Sequence, residues 1–276
     1  MIDLHTHSTF SDGTYSPEDI IELAYKNNLK AIAITDHDTI KGIPYAQKRA
    51  KELNIELING IEFSAQYKDI EIHILGYFLD ITDKNLLSFL QGLEKTREKR
   101  NLELIQKLND IGVNISLDYV KSLSGGGLIT KAHFGVALVK KGYAKTIKDA
   151  FNIYLGKGKP AYVKRVLISY KEAIQAIIDA KGTPVLAHPI IYNLSSKDLD
   201  IAFKDLKEAG LKGIECYYSS NTLKQTNTLL SLAKKYNLKV TAGSDFHGDN
   251  RPNVSLGNIF LNEKIDYKIL ENLKAL

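Results

Sequence analysis

At the N-terminus apolar and polar positions alternate, with Ile2 and Leu4 interleaving with Asp3, His5 and His7. That period of two predicts a short strand whose imidazoles leave on one face. Ser16-Pro17-Glu18-Asp19 supplies an N-cap, a first-turn proline and first-turn acids ahead of Ile20, Ile21, Leu23 and Ala24, which predicts a helix to about residue 28. The unbroken run Ala31-Ile32-Ala33-Ile34 predicts a buried parallel strand ending in Thr35-Asp36-His37-Asp38, followed by a helix over about 40–53. The same rhythm predicts strands over 56–62 and 71–77, the second carrying His73 between Ile72 and Ile74. It resumes late in the chain with helices over about 169–180, 196–209 and 222–236. Strands over 184–187, 213–217 and 239–243 accompany them, the first and last running into His188-Pro189 and Ser244-Asp245-Phe246-His247. Strands alternating with helices predict an α/β fold.

From residue 83 the rhythm stops for some eighty residues, which read as a helical insertion. A first helix over about 83–111 places Leu86, Leu90, Leu93, Leu104, Leu108 and Ile111 on one stripe, with Arg97 and Arg100 in the gap between Leu93 and Leu104. Either the arginines point inward toward something anionic, since buried guanidiniums need partners, or the stripe turns into solvent for one turn. Ser124-Gly125-Gly126-Gly127 reads as a hinge, a connection or a set of backbone donors for phosphate. His133, in the helix start Lys131-Ala132-His133-Phe134, is either a cap or a functional group. Residues 152–165 read as the return to the main body. Tyr143, Phe151, Tyr154 and Tyr162 suit either the core or stacking on a base.

Composition narrows the class. With 276 residues and 44% apolar content the chain can bury a full core, and it has no long apolar run or apolar leader that would predict membrane spanning or secretion. The single cysteine, Cys216, allows no internal disulfide and fits the cytoplasm. The net charge is +5, but residues 84–165 hold 16 Lys and Arg against 6 Asp and Glu, leaving the remainder acidic. A basic segment in an acidic frame suits an anionic partner, such as a phosphate ester or nucleic acid, above a cation-binding body.

Six of the seven histidines, His5, His7, His37, His73, His188 and His247, fall in or just after predicted strands. In a parallel barrel the C-terminal strand ends converge on one mouth, so these residues can meet despite their separation. With Asp12, Glu62 and Asp245 they make nine nitrogen or oxygen donors, enough for two or three divalent ions of manganese, iron or zinc.

These residues carry a resemblance to the polymerase and histidinol phosphatase (PHP) family of metal-dependent phosphoesterases. The motifs are His5-Thr6-His7 with Ser11-Asp12-Gly13, Thr35-Asp36-His37-Asp38, Gly60-Ile61-Glu62, His73, Ala187-His188-Pro189 and Gly243-Ser244-Asp245-Phe246-His247. The basic segment is similar to that of the stand-alone subgroup containing nucleoside 3',5'-bisphosphate phosphatases and 5'-3' exoribonucleases. The resemblance implies a distorted (β/α)7 barrel (residues 1–82 and 166–276) with an inserted small, mostly helical domain (83–165) capping the active site. It also implies a three-metal centre: His5, His7, Glu62 and Asp245 on one ion, Glu62, His73 and His188 on a second, and Asp12, His37 and His247 on a third. Asp3, Asp36 and Asp38 are expected to orient histidines. Lys131 and His133 stand where the subgroup holds phosphate with an arginine and a histidine, and lysine lacks the bidentate fork.

The implied reaction is in-line attack on phosphorus by a metal-held hydroxide, its pKa lowered toward about 7. Glu62, Asp245 and His188 surround the attacking water, while Arg97, Arg100, Lys131 and His133 bind the phosphate. The expected substrate is a small nucleotide or a short RNA 5' end, with no membrane and no obligate protein partner. Histidinol phosphate is the alternative within the enzyme class. A nucleic-acid-binding module with a structural metal cluster is the alternative outside it.

Overall fold

The computed structural model describes residues 1–124, 127–259 and 264–275; Gly125 and Gly126 of the glycine run lie outside them. Seven strands follow one path: β1 (Ile2–Asp3), β2 (Ala31–Ile34), β3 (Glu56–Tyr67), β4 (Ile70–Tyr77), β6 (Thr183–Leu186), β7 (Gly213–Tyr218) and β8 (Lys239–Gly243). The two-residue β5 (Ile168–Ser169) pairs with β3 off that path. The path nearly closes on itself, because Leu4 N–H donates to Ala242 O at 3.3 Å, Asp245 N–H donates to His5 O at 2.9 Å, and Thr6 pairs in parallel with Phe246.

Strand parity divides the core. Ile32, Ile34, Ile61, Phe63, Ile72, Ile74, Ile214 and Cys216 pack outward against the helices. Ala31, Ala33, Leu75, Tyr77, Val185 and Ala242 fill the inside together with Ile2, Leu4, Leu270 and Leu273. Polar residues between outward-facing ones, notably Glu62, His73 and Glu215, are thereby aimed inward. The outer helices start where local chemistry allows: Ser16 caps α1 (Pro17–Lys26) by accepting from Asp19 N–H. Ser169 with Glu172 and Thr222 with Gln225 form capping boxes on α7 (Tyr170–Asp179) and α9 (Leu223–Lys235). Helices α2 (Ile43–Leu53) and α8 (Ser196–Glu208) complete this layer, and α10 (Lys268–Lys274) packs beside β8.

One strand departs from the all-parallel expectation. β4 runs antiparallel to both β3 and β6, because only Lys68 and Asp69 connect it to β3, and two residues cannot make a parallel crossover. His73 therefore reaches the centre from mid-strand and not from a C-terminal end.

In the basic segment, α3 (Lys84–Asp110) joins two cores. Leu86 and Leu90 pack with the barrel helices, whereas Leu104 and Leu108 pack with Val113, Ile115, Val120, Phe134, Leu138, Leu155 and Val163 in a separate cluster. Helices α4 (Leu117–Ser122), α5 (Lys131–Lys140) and α6 (Ile147–Ala150) and a π-helical turn Phe151–Leu155 enclose that second core. Leu155, Ala161 and Val163 are buried in it, so residues 152–163 belong to the segment's own core and the chain rejoins the barrel only at β5. Tyr143, Phe151 and Tyr154 pack there too. Among the described residues no helix is long and apolar enough to cross a membrane.

Candidate metal centre

His5 and His7 leave the end of β1 with their Nε2 atoms 3.1 Å apart. Around them, Glu62 Oε2 lies 3.3 Å from His5 Nε2, 3.1 Å from His7 Nε2 and 3.1 Å from His37 Nδ1. Its other oxygen, Oε1, is 2.9 Å from both His73 Nδ1 and His188 Nε2. Asp245 Oδ1 is 3.2 Å from His7 Nε2 and 3.4 Å from His5 Nε2, while Asp12 Oδ1 is 3.3 Å from His247 Nε2. All nine residues singled out in the sequence thus meet at one place. Among the described residues, four overlapping groups have their donor atoms within 4.8 Å of one another: His7-Asp12-His37-His247, His5-His7-Asp245, His5-Glu62-His188 and His37-Glu62-His73.

These groups overlap the division the resemblance implied: His5, His7 and Asp245 stay together, as do Asp12, His37 and His247, and Glu62 lies near both His73 and His188.

The donor set fits divalent cations. Among the described residues, buried Asp12 Oδ1 and His37 Nδ1 have no hydrogen-bond partner, although other ligand atoms crowd them. Burial, helped by neighbouring His7 and His73, lowers His37 to about 3 despite Glu62 and Asp12, so its ring is neutral and can ligate. Against the cost of burial, the surrounding imidazoles hold Glu62 and Asp245 well below the usual carboxylate range. A neutral imidazole beside converging carboxylates is a donor set for manganese, iron or zinc.

Among the described residues, none of the three aspartates expected to orient histidines bonds an imidazole nitrogen directly. Asp3 accepts from the backbone N–H groups of His5, Ser244 and Gly257 and from Ser244 Oγ. Asp36 accepts from Ser8 N–H, Ser8 Oγ and Ser11 Oγ, fixing the loop that carries Asp12. Asp38 accepts from Ser64 N–H at 3.0 Å, from Arg165 at 2.9 Å and from Arg97.

Arg97 and Arg100 do turn inward, at the point where α3 passes from one core to the other. Together with Arg165, Asp38, Ser64 and Thr96 they line a cleft of about 50 Å³. Arg165 also holds Glu71 at 2.5 Å. Arg100 is buried and donates to Asn101 Oδ1 at 2.8 Å, but among the described residues its Nε has no partner. Burial and the nearby Arg100 and Arg165 lower the Lys131 ammonium, which lies 4.7 Å above the Tyr162 ring. His133 Nδ1 accepts from Thr130 N–H at 3.0 Å and completes the cap of α5, leaving Nε2 to carry the ring proton.

The PHP domain family matches residues 3–208 of this sequence. The chain belongs to the PHP family. It is 39% identical over 245 residues to a 5'-3' exoribonuclease of Haemophilus influenzae, covering 89% of each protein. It is 30% identical over 258 residues to a 3',5'-nucleoside bisphosphate phosphatase of Chromobacterium violaceum, covering 93% of this chain and 90% of that one. A structure described as a metal-dependent phosphoesterase from Bifidobacterium adolescentis superposes with a TM-score of 0.83 at 31% identity, over 99% of this chain and 95% of that one. This PHP chain is accordingly a hydrolytic enzyme, a metal-dependent phosphoesterase.

Sequence reasoning overlooked several residues of the PHP centre. Arg251 and Tyr218 Oη both donate to Asp245 Oδ2, the latter at 2.8 Å. Tyr192 Oη accepts from His73 N–H at 2.8 Å and donates to Ala187 O at 2.9 Å. Arg165 was visible only as one more cation of the basic segment. Glu215 had a signal: it is the acid between outward-facing Ile214 and Cys216.

Proposed function

We propose that His5, His7, Asp12, His37, Glu62, His73, His188, Asp245 and His247 hold two or three divalent ions, drawn from manganese, iron and zinc. The substrates we propose are phosphate esters of small nucleotides of the nucleoside 3',5'-bisphosphate type and short RNA 5' ends. The observation that carries the substrate reading is the partly buried guanidinium cluster beside the donor set, with Arg100 buried in it. Arg97 and Arg165 pair with two carboxylates, Asp38 and Glu71, while Arg100 pairs with neither and, among the described residues, its Nε is unpartnered. Such an excess of partly buried positive charge is compensated by an anion with several acceptor oxygens.

Bound ions supply Lewis acidity and lower the pKa of water toward about 7. The protein's own contribution is positioning. Arg97 and Arg165 offer the forks that Lys131 lacks, and a phosphate entering the cleft competes with Asp38 for both. Lys131 and His133 Nε2 come from α5, so residues 83–165, read as a capping insertion, close over the ester and exclude water. The relatives named above, an exoribonuclease and a nucleoside bisphosphate phosphatase, favour a nucleotide over histidinol phosphate. The location we propose is the cytoplasm, where the buried thiol of Cys216 would stay reduced, with no membrane and no obligate protein partner in the reaction.

The test is turnover of a nucleoside 3',5'-bisphosphate, a 5'-phosphorylated oligoribonucleotide and histidinol phosphate by wild type and by His7→Ala. The nucleotide substrates should be preferred, and the variant should lose metal and about two orders of magnitude or more in rate. Preference for histidinol phosphate overturns the substrate assignment; full activity of the variant overturns the metal assignment.

A further inference from the structure

Glu215 lies on the inner face of β7 and is fully buried. Its Oε1 accepts from His5 Nδ1 at 2.9 Å, and its Oε2 accepts from the backbone N–H of His188 at 2.9 Å. Among the described residues no lysine or arginine is within ion-pair distance of it; His5 is its one ionisable partner. A buried carboxylate without a cationic side chain is costly unless another positive charge compensates.

The geometry gives that cost a purpose. A carboxylate only accepts, so His5 Nδ1 carries the hydrogen and the ring's lone pair is left on Nε2. Nε2 is the atom that lies among His7, Glu62 and Asp245. His188 has φ 27° and ψ 59°, a left-handed conformation that strains any residue but glycine. The bond from its N–H to Glu215 holds it there, with Nε2 on Glu62. Gly243 clears the space for this pair, since a Cβ there would meet His5 Cβ at 2.2 Å and Glu215 Oε1 at 2.9 Å.

We infer that Glu215 is a positioning residue of the metal centre. It locks His5 in the form that ligates through Nε2 and pins the strained His188, and the cations those histidines hold balance its charge. The inference rests on the metal-centre reading and is tested so that the two fail separately.

Glu215→Gln keeps the shape but removes the charge, and its amide N–H₂ competes with His5 Nδ1 as a donor. Manganese and zinc are titrated calorimetrically into chelator-stripped wild type and variant, and thermal unfolding is followed with and without metal. The variant should bind about 10- to 100-fold more weakly, the size of effect seen when a ligand's supporting partner is removed, and should gain less in melting temperature from metal. Unchanged affinity, whatever happens to the melting temperature of the stripped form, overturns the role of Glu215 alone. Wild type that takes up no ion overturns both readings. Should the variant not fold, histidine ¹⁵N spectra of zinc-loaded wild type decide: His5 must keep its proton on Nδ1 and show the ligation shift at Nε2. Ligation through Nδ1 refutes the inference.

Discussion

Arg100 is buried, among the described residues its Nε is unpartnered, and burial together with neighbouring Arg97 and Arg165 lowers it to about 10. On the proposed reading, a bound phosphate offsets that cost. Arg100→Met should therefore leave stability unchanged or raise it by about 1 kcal/mol, because an apolar side chain of similar length replaces an unsatisfied polar one. KM for a nucleotide substrate should rise by about 10- to 100-fold, the worth of one charged hydrogen bond. Chemical denaturation and steady-state kinetics check the two halves; a destabilised variant with unchanged KM makes Arg100 structural. The histidines give a second residue-scale prediction. Against the cost of burial, Asp245 and Glu62 raise His7 to about 9, and Glu62 and Glu71 raise His73 to about 10. Both lie above the ordinary 6.5, so they stabilise the metal-free protein fully below about pH 6.5, and that stability is lost as pH rises through 9 to 10. Ligation requires neutral rings, so metal binding at pH 7.5 should release protons. Calorimetry in buffers of different ionisation enthalpy measures the number released, and a value of zero contradicts the protonation assigned here.

At the scale of elements, α3 is the tie between the two cores. Its gap in the apolar stripe is the crossing point, and the arginines sit there because the helix has left one core and not yet entered the next. Leu104→Ala should cost about 2–5 kcal/mol, the usual range for a fully buried leucine. All nine candidate ligands come from outside residues 83–165. The ions should thus bind the variant as they bind wild type, while the nucleotide KM rises. Denaturant unfolding with metal titration tests this, and loss of metal affinity would tie the second core to the ion site directly. The β3–β4 hairpin shows why strand direction escaped the periodic pattern. Alternation of Ile72, His73 and Ile74 sets which face His73 takes, but direction follows from the two-residue connection.

For the molecule as a whole, the basic segment against an acidic frame sets long-range behaviour. If the segment contacts RNA phosphates beyond the scissile one, raising salt from about 50 to 200 mM should raise KM for a 5'-phosphorylated oligoribonucleotide far more than for a mononucleoside substrate. Each extra contact adds about 0.7 to the log–log slope for single strands. Parallel slopes for the two substrates would confine recognition to the arginine cleft.

Periodicity and residue type by themselves determined much of this: the alternation of strands and helices, the break at residue 83 and the nine donors, because ionisable residues either interrupt apolar strands, as Glu62 and His73 do, or follow soon after their ends. Tertiary structure alone gathered those donors around Glu62, which sits at the centre and shares both oxygens. It also turned Asp38 toward arginines 59 and 127 positions away and set Glu215 under a histidine 210 positions earlier in the chain. Such pairings leave no local pattern: which buried groups satisfy one another is settled by barrel closure and by the need to leave few buried charges uncompensated.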